Sequence, residues 1–282
     1  MAEQTFDPEQ YKQRLRAAWG AAAEAYSSRM VRLTGPLTER VISLLVPQEG
    51  QKILDVASGP GEPALSVARA LNSTGQVIGT DLAEGMVAQA RKRAQAEGLT
   101  NVEFRPMDAE ALQFPDGSFN GVTCRLGLMI FPHPDRALRE MQRVLVKGGK
   151  AVLAVWGTEE KVYLIQLFRG VMEEHFPQAN VPGAPLPFAF GAPGVLEKAL
   201  REAGFSHIHT EPFTVTPSFI DPEELWGAFR DGTPLKALLA QAASEVVERA
   251  RNSFLMAAER FRSSSSGRIE LPSEALLAVG VK

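Results

Sequence analysis

Between residues 52 and 156 the chain alternates short β-rich runs with stretches of helical period, and this alternation restricts the fold more than any other feature. The runs are KILDVA (52–57), QVIGTD (76–81), NVEFRP (101–106), GVTCRLG (121–127) and KAVLAVW (150–156). Apolar residues at helical spacing are clearest over 84–97 and 135–145. Gly98 stands where a left-handed glycine ends a helix, and Asp135 where an acidic side chain favours a helix start. Strands alternating with helices require right-handed βαβ crossovers. The expectation is therefore an α/β fold, a doubly wound and mostly parallel sheet with helices on both faces.

The flanks read differently. A helix is expected over 8–29, entered through Asp7-Pro8, and another after Asp221-Pro222-Glu223-Glu224. From Leu235 to Phe261 the apolar spacing predicts one further helical stretch. HIHTEPFTV (207–215) and ALLAVGVK (275–282) read as two late strands, and the proline-rich segment 181–193 as a long irregular loop. The chain thus reads as a single domain. A core over 36–157 carries the motifs, and segments 1–35, 158–194 and 217–265 form a helical cap.

Composition narrows the function classes. With 30 Lys and Arg against 33 Asp and Glu the net charge is −3, which leaves no electrostatic footprint for nucleic acid. No apolar run approaches the 18 or so residues of a membrane span, and the polar start MAEQTFDPEQ lacks a signal-peptide pattern, so a cytoplasmic protein is expected. The single cysteine, Cys124, excludes an internal disulfide and reads as a small buried hydrophobe. No His, Asp or Glu cluster has metal-ligand spacing, so no metal is expected.

The segment ILDVASGPGEPALSVA (53–68) runs strand, tight loop, helix, and Asp81 lies 22 residues beyond Gly59. Gly59, Gly61 and Ala64 satisfy G-x-G-x-x-[GA], so the spacing also fits a dinucleotide site with Asp81 on the ribose. Asp55 separates the two readings. A carboxylate inside the first strand, four residues before Gly59, would repel a pyrophosphate. A ligand carrying a sulfonium and an ammonium reverses that sign. Charge thus favours S-adenosylmethionine over NAD(P).

In LDVASGPG (54–61), GTDLAEGM (79–86) and the block 107–157, the sequence resembles the class I S-adenosylmethionine-dependent methyltransferases, in their UbiE-like small-molecule branch. The resemblance implies seven strands with the last inserted antiparallel. It also implies that Asp55 orients the methionine ammonium through water or the loop backbone, and that Ala57, Gly59 and Gly61 let the backbone approach the donor. Family members often carry glycine where Ala57 stands. Asp81 would take the ribose hydroxyls, Leu82 and Met86 would flank the adenine, Asp108 would receive its amino group, and Ala109 would donate a backbone N–H to the ring. Arg125 would offer a backbone contact to the methionine part, and Tyr26 would close the donor from above.

Methyl transfer from a sulfonium needs alignment and exclusion of water; a base is needed only when the acceptor must lose a proton. His133, in FPHPD, is the candidate base, with a rigid loop element as the competing reading. His207 and His209 read as a solvated face, and His175 as a helix-end residue. Arg91, Lys92 and Arg93 read as solvation alone. The aromatic residues of the cap, among them Trp19, Phe168, Phe188, Trp226 and Phe229, read mainly as packing, with an apolar acceptor pocket as the alternative. The partner implied is a small-molecule methyl acceptor. An NAD(P)-dependent oxidoreductase and a non-catalytic donor-binding module stay open at this point, and the oligomeric state is not legible.

Overall fold

The computed structural model describes residues 6–72, 74–177 and 181–282. The first five residues and residues 178–180, both assigned above to the cap, lie outside the described residues. The strands of the main sheet are β1 (Lys52–Val56), β2 (Gln76–Asp81), β3 (Val102–Pro106), β4 (Phe119–Arg125), β5 (Leu145–Trp156), β6 (Ser206–Val215) and β7 (Ser273–Val281). They form one sheet in the order β3-β2-β1-β4-β5-β7-β6. The pairs from β3 to β5 are parallel, and β7 runs antiparallel to both β5 and β6, as the resemblance implied. β1 and β4 are almost wholly buried, which fits central strands covered on both faces. The strand order reverses between β1 and β4, and the cleft at their carboxyl ends is where such sheets hold ligands.

Helices α1 (Pro8–Ala25) and α2 (Gly35–Leu45) precede the sheet, joined by a π-turn over Tyr26–Met30 and a 3-10 turn over Val31–Thr34. The Asp7 carboxylate accepts the Glu9 and Gln10 N–H groups and so caps α1. The crossovers carry α3 (Ala64–Ala70), α4 (Glu84–Ala96) and α5 (Pro134–Val144). Gly98 ends α4 in the left-handed region at φ 65°, and the Leu99 N–H returns to the Ala94 carbonyl. The cap adds α6 (Tyr163–His175), α7 (Val195–Glu202), α8 (Pro222–Gly232), α9 (Leu235–Leu239) and α10 (Ser244–Glu259).

The single helix expected over 235–261 is thus broken, with Ala243 extended at φ −64° and ψ 142°. Its two halves serve different neighbours: α9 packs on α8 and α1, and α10 on α6 and α8. Apolar spacing reports that each half has a buried face, and it is blind to the change of direction between them. The cap aromatics Phe168, Phe176, Phe219, Trp226, Phe229 and Phe254 pack with one another in a second hydrophobic cluster beside the main core, Phe168 on Phe229 with ring centres 5.3 Å apart. His207 and His209 are exposed, as expected of a solvated face.

α1 lies across the first turn of α4 with no side chain between the two backbones. A Cβ on Gly85 would stand 2.7 Å from the Gly20 carbonyl oxygen and 2.8 Å from its Cα. Glycine to alanine in a helix ordinarily gains about 1 kcal/mol. Here Gly85→Ala is expected instead to lower the melting temperature by a few degrees, because overpacking costs roughly 1–3 kcal/mol. It should also speed amide exchange in α1. A rise in the midpoint would show that the helices do not meet here.

Candidate active site

The loops after β1, β2 and β4 border one cavity, which α1 covers from above. After β1 the chain turns sharply: Ala57 sits in the left-handed region at φ 55°, and the Ser58 N–H reaches the Thr80 carbonyl at 2.9 Å. After β4 Leu126 takes φ 61°. Both bordering residues hold a conformation that costs a side chain about 1 kcal/mol or more, the kind of strain that marks functional loops. Gly59, at φ 53°, has open space where its Cβ would be. Backbone there can meet a ligand directly.

Asp81 ends β2 at the cavity. Its Oδ2 accepts the Gly59 N–H and its Oδ1 the Ala83 N–H, each at 2.9 Å. Burial pushes this carboxyl up to about 6, against the backbone donors that pull it down. Asp55 is fully buried beneath the loop, accepting the Thr123 hydroxyl at 2.7 Å and the Ala64 N–H at 3.0 Å. Burial pushes it up to about 7, opposed by those two hydrogen bonds and the nearby Arg125 charge. It does not border the cavity, so any influence on a ligand passes through the loop backbone.

The remaining residues fall on both sides of the expectation. Tyr26, Ala57, Gly59, Asp81, Leu82, Met86, Asp108, Ala109 and Arg125 all border the cavity. Gly61 does not. A Cβ there would lie 2.7 Å from Leu65 Cδ1, and φ is 111°, so loop packing against α3 by itself calls for glycine. His133 is also displaced: the lining ends at Pro132, and His133 occupies the N-cap of α5 with its backbone N–H on Glu110 Oε1 at 2.9 Å. Cys124 is buried, and burial pushes its thiol up to about 12.

Three positions that brace the cavity and its loops escaped the sequence reading. Lys12 on α1 is 7% exposed, and its Nζ donates to Asp108 Oδ2 at 2.8 Å and Glu110 Oε2 at 2.6 Å. Burial alone would lower its pKa, but those carboxylates outweigh it and raise it. Glu110 in turn holds the loop before α5 through His133. Arg93, read as solvation, donates to the Pro60 carbonyl at 2.8 Å and to Glu62 Oε1 at 3.0 Å, bracing the glycine loop from outside.

Among the described residues four buried side-chain polar atoms lack a partner, and three belong to cavity residues: Trp19 Nε1, Ser58 Oγ and Arg125 Nε. Buried polar atoms are nearly always satisfied, so this concentration fits a polar ligand. Trp19 and Tyr26, edge to face with centres 5.5 Å apart, supply an aromatic roof. Together these features form a cavity with free polar atoms under an aromatic roof, at the strand-order reversal of a doubly wound sheet.

Residues 53–149 match the family described as a methyltransferase domain. Over 178 residues the chain is 34% identical to the demethylmenaquinone methyltransferase of Thermus thermophilus, a match covering 59% of this chain and 80% of that one. Over 113 residues it is 40% identical to the ubiquinone/menaquinone biosynthesis C-methyltransferase UbiE of Pseudomonas entomophila; here the match covers 40% of this chain and less than half, 44%, of the relative. The crystal structure of the YcgJ protein from Bacillus subtilis has the same fold, with a TM-score of 0.58 at 21% identity over 87% of this chain and 97% of that one. The chain belongs to the class I S-adenosylmethionine-dependent methyltransferases of the UbiE type.

The two raised carboxyls make stability pH-dependent. The folded chain holds the Asp55 proton up to about 7, against 3.8 for an ordinary aspartate, so folding is favoured below 3.8 and that contribution is lost as pH rises through about 7. Asp81 adds a similar loss ending near 6. In ligand-free protein the melting temperature is expected to fall across this window, and Asp55→Asn should flatten its upper part. An unchanged slope in the variant would mean that Asp55 is ionised throughout.

Proposed function

We propose that the chain transfers the methyl group of S-adenosylmethionine to oxygen, carbon or nitrogen of a hydrophobic small molecule, with a quinol-like ring as the acceptor. The observation that carries the donor site is Asp81, held by the Gly59 and Ala83 N–H groups at the cavity wall. A carboxylate fixed on its inner side keeps outward lone pairs for two ribose hydroxyls. The Thermus and Pseudomonas relatives, a demethylmenaquinone methyltransferase and a ubiquinone/menaquinone biosynthesis C-methyltransferase, support the quinol-like acceptor.

In this reading Leu82 and Met86 flank the adenine, Asp108 accepts from its amino group, and the Ala109 N–H donates to the ring. Ala57, Gly59 and the Arg125 backbone approach the methionine part. Asp55 acts from below by fixing the loop through Ala64. Tyr26 and Trp19 close the cavity and, with Ile130 and Phe131, exclude water. When bound, S-adenosylmethionine supplies an electrophilic methyl group and its own leaving group, so the transfer calls for no metal. The core 36–157 holds the donor, and the segments 1–35, 158–194 and 217–265 shape the acceptor side. No described helix is long and apolar enough to cross a membrane, and we place the enzyme in the cytoplasm.

His133 stands behind the lining, so the chain's contribution is alignment and water exclusion. His133→Ala is accordingly expected to leave donor affinity and turnover within about twofold, well under the 10²–10⁴ of a general base. A larger loss of turnover at intact donor affinity would restore it as the base. Asp81→Ala should weaken S-adenosylhomocysteine binding more than about tenfold, since hydrogen bonds to a charged acceptor are worth about 1.5–3 kcal/mol. The reading as a whole is tested by melts with S-adenosylmethionine, S-adenosylhomocysteine, NAD and NADP. Saturating ligand at about 100 times its Kd adds about 2.7 kcal/mol. Stabilisation by the adenosyl compounds alone is expected; stabilisation by the nicotinamide nucleotides alone would overturn it.

A further inference from the structure

Among the described residues Lys12 alone ties the first half of α1 to the rest of the fold through a polar side chain. Its Nζ donates to Asp108 Oδ2 at 2.8 Å and Glu110 Oε2 at 2.6 Å, both in the loop after β3. Gln13 and Arg14 beside it are exposed. The second half of α1 is held differently. Gly20 lies against Gly85, and the Ala21 carbonyl accepts Lys236 Nζ at 3.0 Å. Beyond the helix, Arg29 donates to the Gly227 carbonyl and to Asp231. The roof is thus pinned at its far end, while Lys12, Leu15 and Trp19 lie along the cavity. A buried ammonium shared by two carboxylates is costly to break, because Glu110, with its side chain 4% exposed, is then left buried without its cation.

We infer that Lys12 is the latch of a gate: it positions the first half of α1 over the cavity, and ligand enters and leaves only while its ion pairs are open. Lys12 is a positioning residue and does this without touching the ligand. Asp108 Oδ1 accepts the Glu110 N–H and Oδ2 accepts Lys12, so each oxygen keeps a lone pair for a ligand amino group. A bound base and a closed latch therefore coexist, and release of the base waits for α1. Glu110 extends the tie to the cavity wall, since its other oxygen accepts the His133 N–H next to Pro132. The inference rests on the methyl-donor reading for the identity of the gated ligand.

Two measurements on the full chain test it. Hydrogen exchange without ligand reads the latch: Lys12→Met is expected to speed exchange at residues 12–16 about tenfold or more, and at 20–25 much less. Stopped-flow binding of S-adenosylhomocysteine, followed by tryptophan fluorescence, reads the gate. Opening is part of both passages, so Lys12→Met should raise the association rate about threefold or more and the dissociation rate about tenfold or more. Glu110→Gln keeps an oxygen for His133 and drops the charge, and it should move both rates the same way by less. Faster dissociation with unchanged or slower association would reduce Lys12 to a structural support and remove the gate. An equal effect on exchange along the whole of α1 would remove the latch. A wild type that binds no S-adenosylhomocysteine, with the local exchange effect intact, would reject the donor reading and keep the latch. Should Lys12→Met fail to fold, Glu110→Gln stands in for it, and unchanged rates in that variant would overturn the proposal.

Discussion

The Asp55 carboxylate ties three elements of the cavity floor together beneath the loop. It leaves β1, takes a hydroxyl from Thr123 on β4 and takes the Ala64 N–H at the start of α3. The turn from Ala57 to Gly61 is thus clamped at its base, and the left-handed conformations at Ala57, Gly59 and Gly61 become tolerable because both ends are fixed. Asp81 then completes the clamp from β2 through Gly59. Two acids on neighbouring parallel strands therefore set the shape of the loop, and the loop sets the cavity floor. A fully buried carboxyl is a costly choice for such a clamp, and its upward shift to about 7 reflects that cost.

The roof is governed by a different balance. α1 and the turn after it reach the sheet through a glycine contact with α4, through Trp19 and Tyr26 over the cavity, and through Lys12 between Asp108 and Glu110. Lys12 engages one oxygen of Asp108, while the other accepts the Glu110 N–H. The residue that would recognise the adenine amino group is therefore also the anchor of the helix above it. Floor and roof meet at the end of β3, so changes at either are felt by the other.

The core and its floor were legible because their signals are local. Strand runs, turn glycines and acids after successive strands repeat at short spacing, and they located β1 to β5 and the residues that border the cavity at the ends of β1, β2 and β3. Of the roof, the helix and Tyr26 were legible but the anchor was not: Lys12 meets partners 96 and 98 residues away, and nothing around Lys12 marks it as buried. Arg93 looked solvated because its helix face is polar, yet its long side chain reaches the carbonyl of Pro60. Gly61 matched the donor motif by spacing, but only the position of Leu65 tells what the missing Cβ avoids. His133 followed the right strand at the right distance, and the N-cap geometry of α5 then drew it out of the lining. The bend before Ser244 was hidden because both half-helices are amphipathic in the same period.

The place of β7 bears on how the protein is made. β5 and β6 do not touch in the sheet; Ser273–Val281 lies between them and pairs with both. A chain leaving the ribosome carries β5 and the already exposed β6 for dozens of residues before the strand that joins them exists. Until then β5 presents a long, apolar, unpaired edge, the kind of surface that recruits other chains. The donor loops can be shaped early in synthesis, whereas the sheet beneath the cap closes only after the cap helices α8 to α10 have been made. A newly made chain therefore depends on shielding of β5 during that interval more than the finished fold would suggest.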